Sequence, residues 1–317
     1  MKAAVVETFD RPPQYRDFPE PAAGPDEVIV TVKAAARSQL VKAQAAGKHY
    51  SSITPPLIPG VDGVGCLADG QRVYFAFPRP PVGAMAERVA VKSANTIPLP
   101  DDIDDITAAA MANPGMSSWA ALRERTQLQP GESVLINGAT GASGRLAIQV
   151  ARHLGAGRIV VTGRNPNIEA ELLALGADTF IPLSQSPEAL SARLHEEIAG
   201  GINIVLDYLW GPTAEAILIA ATGHGKAEAA PRIRFINIGS LAGPTLSLPS
   251  AALRSSGLEL LGTGLGSVSH QGLIRCIAGL LHAAPTAGFR IATESIPLTQ
   301  VESAWPKDSA ARMVFTL

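Results

Sequence analysis

The sequence predicts an α/β protein in which a doubly wound parallel sheet adjoins a separate β-rich region. From Ser133 onward, short apolar runs alternate with helical segments, which is typical of a parallel sheet covered by helices on both faces. The first hundred residues instead combine strand-like runs with closely spaced prolines, which exclude long helices. Because 317 residues exceed what one hydrophobic core usually serves, we expect two domains.

The parallel sheet is predicted from five apolar runs at residues 134–136, 158–162, 202–207, 234–239 and 258–262. The intervening helices follow from periodicity. In residues 144–154, Leu146, Val150 and Leu154 recur every four residues. Residues 168–175 form a second predicted helix, closed by a glycine.

The β-rich region is predicted from strands at residues 28–34, 72–77 and 86–91. A helix over 101–112 should break at 113–115 and resume at 117–125. After a further helix near 271–282, the runs 289–291 and 312–315 predict strands that rejoin the first domain.

Composition excludes several functions. A formal net charge of −2 offers no basic field for nucleic acid or an anionic membrane, and no apolar run is long enough to span a bilayer. The beginning of the chain does not have the pattern of a signal peptide. Two cysteines are too few for a structural zinc site or a disulfide framework. We therefore expect a cytoplasmic protein.

A glycine-rich turn carries the strongest functional signal. Gly138-x-x-Gly141-x-x-Gly144 lies after a predicted strand and opens a predicted helix. A dinucleotide pyrophosphate needs close backbone approach and the free N–H groups of a helix N-terminus. The alternative is a tight loop that binds nothing. The predicted cofactor-binding residues of this segment are Asn137, Gly138, Ala139, Thr140, Gly141, Ala142, Ser143 and Gly144.

The end of the second predicted strand indicates which dinucleotide binds. NAD enzymes usually place a carboxylate there, whereas this chain reads Thr162-Gly163-Arg164-Asn165. A guanidinium can pair bidentately with a 2′-phosphate, so Arg164 favours NADPH over NADH. Asn165 and Asn167 would be further donors. The alternative is that Arg164 is a solvated surface residue.

The order of motifs resembles the medium-chain dehydrogenase/reductase superfamily, in its zinc-free quinone oxidoreductase branch. The resemblance covers nearly the whole chain, through 60–65 (GVDGVG), 83–87 (GAMAE), 117–122 (SSWAAL), 128–136 (LQPGESVLI), the glycine turn, 175–178 (LGAD) and 237–240 (NIGS). It implies a GroES-like domain (1–115 and 267–317) and a Rossmann domain (116–266). It also implies hydride transfer to a quinone or an α,β-unsaturated carbonyl, and a homodimer through the edge strand at 258–262.

The resemblance also indicates whether the chain carries the ligands of a zinc site. Zinc-dependent relatives carry a histidine where this chain has Val61-Asp62, and a cysteine where it has Ala36-Arg37-Ser38. We therefore expect no metal ligands, and interpret Cys66 as a small buried hydrophobe.

Two catalytic residues are expected from the resemblance. Tyr50 lies close to where zinc-free enoyl reductases carry a cleft tyrosine, so it is the predicted proton donor, with His49 as the alternative acid. Both could instead be loop residues without a catalytic role. Ser38 replaces the asparagine that relatives commonly place near the nicotinamide, and its shorter side chain changes the expected substrate geometry.

Further residues are candidates because of their position at strand ends, in the crossover segment or in the tail. Asn113, Tyr208 and Gly264 are candidates for the cleft, although each could equally be core or turn structure. The additional cofactor-binding candidates are Ser117, Thr162, Gly163, Asp207, Asn237, Gly239, Ser240, Gly262, Thr263 and Arg312.

Two rival functions stay open at this stage. The glycine turn with Arg164 also resembles short-chain reductases, but more than 130 residues precede the turn and the chain has no Tyr-x-x-x-Lys pair. The other rival is an NADPH-binding protein with a structural or regulatory role and little turnover.

Overall fold

The computed structural model describes residues 1–222 and 230–317, which divide into two compact units. Unit 1 comprises Met1–Asn113 and Ile277–Leu317, and unit 2 comprises Pro114–Cys276. Each unit has its own hydrophobic core.

The strands of the described residues are β1 (Lys2–Val5), β2 (Gln14–Asp17), β3 (Glu27–Ala36), β4 (Asp62–Cys66), β5 (Arg72–Ala76), β6 (Arg88–Lys92), β7 (Thr96–Pro98), β8 (Ser133–Asn137), β9 (Arg158–Gly163), β10 (Thr179–Pro182), β11 (Ile204–Asp207), β12 (Arg232–Asn237), β13 (Gly257–Gly262), β14 (Thr293–Pro297) and β15 (Arg312–Thr316). The helices are α1 (Gln39–Ala45), α2 (Asp105–Ala120), α3 (Ala142–His153), α4 (Glu169–Ala174), α5 (Pro187–Ala199), α6 (Gly211–Ala220), α7 (Ser250–Arg254), α8 (His270–Ala287) and α9 (Val301–Ala304).

Unit 2 contains a six-stranded parallel sheet in the order β10-β9-β8-β11-β12-β13. The strand order reverses beside β8, and ligands of open parallel sheets bind at the carboxyl ends of the strands at such a point. All five predicted runs lie in this sheet, so the Rossmann prediction is confirmed. Strand β10 and helices α5 and α6 were not predicted.

Unit 1 contains a seven-stranded sheet in the order β14-β15-β3-β4-β5-β7, with β6 paired to β3. Strand β15 pairs with β3, so the end of the chain rejoins the first region, as predicted. The strand predicted at 289–291 is wrong, because the strand there is β14, which begins at Thr293 and pairs with β15. A separate hairpin joins β1 and β2.

The predicted break at residues 113–115 is also wrong. Helix α2 continues through Pro114 to Ala120 and is followed by a π-helical turn over Ala121–Arg125. Proline removes one backbone hydrogen bond, but alanines on both sides of it are fully buried, and the Ser117 and Ser118 hydroxyls donate to the carbonyls three residues earlier. Burial therefore outweighs the local signal.

Candidate functional site

The glycine turn between β8 and α3 has three glycines with three different tasks. Gly138 adopts a positive φ of 93°, and a Cβ there would lie 2.8 Å from the Leu209 side chain. A Cβ on Gly144 would lie 2.5 Å from the Cα of Ala139, so this glycine allows α3 to pack on the turn. Gly141 is the N-cap of α3, provides no side-chain cap, and would meet nothing within 4 Å if it carried a Cβ. The turn thus leaves open space directly before the N–H groups of a twelve-residue helix.

Buried hydrogen bonds fix the turn to the neighbouring strand ends. The Asn137 side chain donates from Nδ2 to Asp207 (2.8 Å) and accepts at Oδ1 from the Thr162 hydroxyl (2.7 Å). The Gly138 amide donates to the Thr162 hydroxyl (3.1 Å), and the Ala139 amide to the Thr162 carbonyl (2.9 Å). Three strand ends are therefore joined by side chains with no solvent exposure.

Asp207 is the centre of this network. Its carboxylate accepts from the side chains of Asn137 and Asn237 and from the amides of Leu209 and Trp210, at 2.8–3.2 Å. Burial raises the pKa of Asp207, while these donors oppose the rise. Its lone pairs are used within the protein, so Asp207 holds the turn in place.

Several other predicted cofactor residues also have partners within unit 2. The Ser117 hydroxyl donates to the Pro114 carbonyl and lies 3.3 Å from the Tyr208 hydroxyl, and burial raises the pKa of Tyr208 to about 12. Asn237 donates to the Gly239 carbonyl (2.8 Å), and its own carbonyl accepts from the Thr263 amide (3.0 Å). The Gly262 carbonyl accepts from Arg125, Gly264 carries no side chain, and Ser240 is exposed.

Arg164 follows β9 beside the turn. A Cβ on Gly163 would lie 2.5 Å from the Thr140 side chain, so the end of β9 packs directly on the turn. Arg164 is exposed and forms no ion pair or hydrogen bond with the described residues. Asn165 caps the next helical turn by accepting from the Asn167 amide (3.0 Å). Arg164 thus follows directly on a strand end that packs against the turn, and its side chain has no partner among the described residues.

Arg145, in the first turn of α3, was not predicted. Its Nε donates to the Thr140 carbonyl (2.9 Å), and its guanidinium pairs with Glu171. Arg145 therefore braces the turn from the side of α3, and its charge is already compensated.

Unit 1 contains an apolar hollow of about 300 Å³. Its polar side chains are Gln44 and Ser51, and its apolar lining includes Ile53, Leu57, Ile58, Pro59, Val61 and Phe77. This volume is at the small end of the range of roughly 300–1,000 Å³ that holds small-molecule ligands. The arrangement suits a small, flat, mostly apolar molecule with one polar group.

The predicted catalytic residues have unequal surroundings in unit 1. Ser38 is buried and caps α1, since its Oγ accepts from the Val41 amide (3.0 Å). Tyr50 is 81% exposed, does not line the hollow, and stacks on His49 with 4.2 Å between ring centroids. His49 is half-buried, and its Nδ1 lies 2.7 Å from the Ser51 Oγ. The prediction of Tyr50 as a donor thus gains no support from burial.

Asp62, a buried carboxylic acid, is the next residue in the sequence after one that lines the hollow. Asp62 follows Val61 and accepts a 2.6 Å hydrogen bond from the Tyr74 hydroxyl. Burial raises the pKa of Asp62 to about 6, although Tyr74 and the charge of Arg312 oppose the rise. Arg312 lies in unit 1, and its Nε is buried without a hydrogen-bond partner in the part of the chain that is described.

A second hollow, in unit 2, is polar and lined by three arginines. Their groups are already engaged: Arg232 pairs with Glu259, Arg234 pairs with Glu132, and Arg125 donates to the Gly262 carbonyl. These contacts identify it as part of the internal ion-pair structure of the sheet.

Known proteins resemble the chain over its full length. No family model matches it. It is 29% identical over 350 aligned positions to a probable NADPH-dependent quinone reductase of Emericella nidulans, covering 96% of both chains. It is 29% identical to a 2-haloacrylate reductase of a Burkholderia species, over 56% of this chain and 58% of that one. The quinone oxidoreductase of Thermus thermophilus, solved alone and with NADPH, matches with a TM-score of 0.81 and 29% identity, covering 100% of both chains.

This full-length similarity to quinone reductases confirms the resemblance to the medium-chain dehydrogenase/reductase superfamily, in its quinone oxidoreductase branch. The short-chain interpretation of the glycine turn is wrong on architecture. A β-rich unit precedes the turn and completes itself with the end of the chain, which the short-chain interpretation does not include.

Among residues 1–222 and 230–317, no group of three or more histidine, cysteine, aspartate or glutamate side chains could hold a metal ion. Cys276 is buried, whereas Cys66 is half-buried, so the prediction of Cys66 as a small buried hydrophobe is wrong. In the same described ranges, no helix is long and apolar enough to cross a membrane.

Sequence reasoning missed Gln44 and Ser51, the polar side chains of the hollow. No pattern in the sequence distinguishes Ser51 from Ser52, because only the folded loop places one of them in the lining of the hollow.

Proposed function

We propose that the protein is an NADPH-dependent, zinc-free oxidoreductase that transfers hydride to a quinone or an α,β-unsaturated carbonyl. The observation that carries this proposal is the exposed guanidinium of Arg164, which has no partner in the described part of the chain and follows the strand end that packs on the open glycine turn. This pairing of a cation with free helix N–H groups suits a dinucleotide that carries a 2′-phosphate.

The residues of the turn would bind the pyrophosphate through backbone N–H groups. The space at Gly141 admits the phosphates, and the positive end of α3 stabilises their charge. Thr162 and Gly163 position the end of β9, and Arg164 with Asn165 would bind the 2′-phosphate. Asn137 and Asp207 hold the turn rigid, which lowers the cost of ordering it on binding.

Bound NADPH supplies the hydride, and the protein supplies orientation and a proton. The apolar hollow of unit 1 is suited to the ring of a quinone or enone, and its walls would exclude water. With no zinc, hydrogen bonds must stabilise the oxygen that gains negative charge. The sequence candidates for the proton donor are Tyr50 and His49.

Assembly and location are further parts of the proposal. Strand β13 is the last strand of its sheet, with one edge that no described strand pairs. A second copy could extend the sheet there, which supports a homodimer. Both cysteines are free, which suits a reducing compartment such as the cytoplasm.

The test is NADPH oxidation with p-benzoquinone and with a cyclic enone. Saturable turnover of either acceptor, with NADPH preferred over NADH, supports the proposal. Tight NADPH binding without turnover of either acceptor would contradict it and favour a binding protein of structural or regulatory role.

A further inference from the structure

Three side chains form a polar chain at the wall of the apolar hollow in unit 1. The Gln44 amide donates from Nε2 to the Ser51 Oγ at 2.9 Å, and the Ser51 Oγ lies 2.7 Å from the Nδ1 of His49. Gln44 and Ser51 line the hollow, whereas His49 is not one of its lining residues. The only polar side chains that face the hollow in the described residues are therefore joined to a histidine.

A backbone hydrogen bond indicates which nitrogen of the His49 ring carries the proton. The Ser51 amide also donates to the Nδ1 of His49, at 3.2 Å. An Nδ1 that receives an N–H carries a lone pair, so the neutral ring holds its proton on Nε2 and the Ser51 hydroxyl donates to Nδ1.

We propose that Ser51 delivers the proton that completes the reduction and that His49 stores it, an inference that rests on the proposed function. Hydride from NADPH adds to the β-carbon of an enone, or to a quinone, and leaves a negative oxygen on the substrate. That oxygen takes the Ser51 hydroxyl proton while the imidazolium of His49 passes its Nδ1 proton to the Ser51 Oγ. One O–H bond forms on the substrate, one N–H bond breaks on His49, and water returns the proton after the product leaves.

Local structure favours Ser51 over its neighbours for this task. The Tyr50 hydroxyl belongs to a side chain that is 81% exposed and outside the hollow lining. The Ser52 hydroxyl accepts from the His49 amide at 3.2 Å and does not line the hollow. Ser52 is therefore a matched control: the same residue type, one position further along the same loop.

The test measures turnover, cofactor affinity and solvent isotope effects in the full-length protein. Ser51→Ala should lower kcat roughly 100-fold with NADPH affinity unchanged, since general acids contribute about 10²–10⁴-fold. Ser51→Thr, which keeps a hydroxyl, should recover most of the activity, and Ser52→Ala should match the wild type. In mixtures of H₂O and D₂O, wild-type kcat should fall along a curve that reports two moving protons, and Ser51→Ala should lose this curvature.

A double-mutant cycle tests the role of His49. His49→Phe keeps an aromatic ring without nitrogen and should lower kcat about as much as Ser51→Ala. The two changes combined should cost no more than either alone, because the residues act as one unit. If wild type is active but Ser51→Ala behaves as Ser52→Ala, or if the two losses multiply, the relay is refuted while the proposed function stands. A wild type that binds NADPH and reduces neither acceptor refutes the proposed function itself.

Discussion

The two units each bury one aspartate, and they surround it differently. In unit 2, Asp207 accepts hydrogen bonds from two asparagine side chains and two backbone amides. In unit 1, Asp62 accepts one hydrogen bond, from Tyr74, and the charge of Arg312 is its main other compensation. Both aspartate side chains are almost fully buried. The glycine turn is therefore held by a saturated polar network, whereas the region beside the hollow keeps a carboxyl group whose charge is poorly compensated.

Replacing aspartate by asparagine should have a different effect at each of the two sites. Asp207→Asn replaces an acceptor oxygen by an N–H group that faces the donors of the turn. We expect the free energy of unfolding to fall by roughly 3–5 kcal/mol, measured by urea denaturation. Exposed Asp101 provides the control, since Asp101→Asn should leave stability unchanged. An Asp207→Asn variant as stable as the wild type would show that the network does not hold the turn.

At Asp62 the effect should appear as a dependence on pH. Its folded pKa is about 6 against an ordinary value of 3.8, so between these values the unfolded chain ionises while the folded carboxyl stays protonated. Stability is therefore present below about pH 4 and is lost as the pH rises to about 6. The loss is about 3 kcal/mol at most, since each pKa unit corresponds to about 1.4 kcal/mol.

Asp62→Asn should remove that slope between pH 4 and 6, as seen in urea denaturation at several pH values. The asparagine oxygen can still accept from Tyr74, so the packing stays close to that of the wild type. If wild type and variant show the same slope over this range, the account of Asp62 is wrong.

Two glycines of the turn separate its packing from its binding role. Gly144→Ala should cost roughly 1–3 kcal/mol of stability, because its Cβ would meet backbone at 2.5 Å. Gly141→Ala should leave thermal stability nearly unchanged, because its Cβ would enter open space, yet it should weaken NADPH binding. Calorimetry and cofactor titration of both variants check this. If Gly141→Ala and Gly144→Ala changed stability and NADPH binding to the same extent, the open space at Gly141 could not be assigned to the phosphates.

The smallest effect is expected at Tyr50. With Ser51 as the donor, Tyr50→Phe should change kcat less than about twofold and leave NADPH affinity unaltered, because the Tyr50 side chain is largely in solvent. A loss near 100-fold in the same assay would return the donor role to Tyr50, as the sequence first suggested.

The comparison also explains what the sequence could predict. Gly138 and Gly144 are required by backbone geometry, and Gly141 by the open space proposed for phosphate, and such requirements leave a fixed spacing in the sequence. The prediction of a helix break at Pro114 failed because burial of the surrounding alanines outweighs the local preference of proline. Ser51 and Gln44 could not be found because Ser51 lies in a loop, and the contact that joins it to Gln44 of α1 leaves no periodic pattern in the sequence.

The most direct test of the account is the affinity of Arg164→Ala for NADPH and NADH. Arg164 has no partner in residues 1–222 and 230–317 and follows the strand end that packs on the turn, so its removal should weaken NADPH binding by roughly 10–100-fold and leave NADH binding nearly unchanged. Arg254→Ala, which removes another exposed arginine from the same unit, is the control for net charge and should affect neither cofactor. An equal loss of affinity for both cofactors, or no loss for either, would contradict the assignment of Arg164 to the 2′-phosphate.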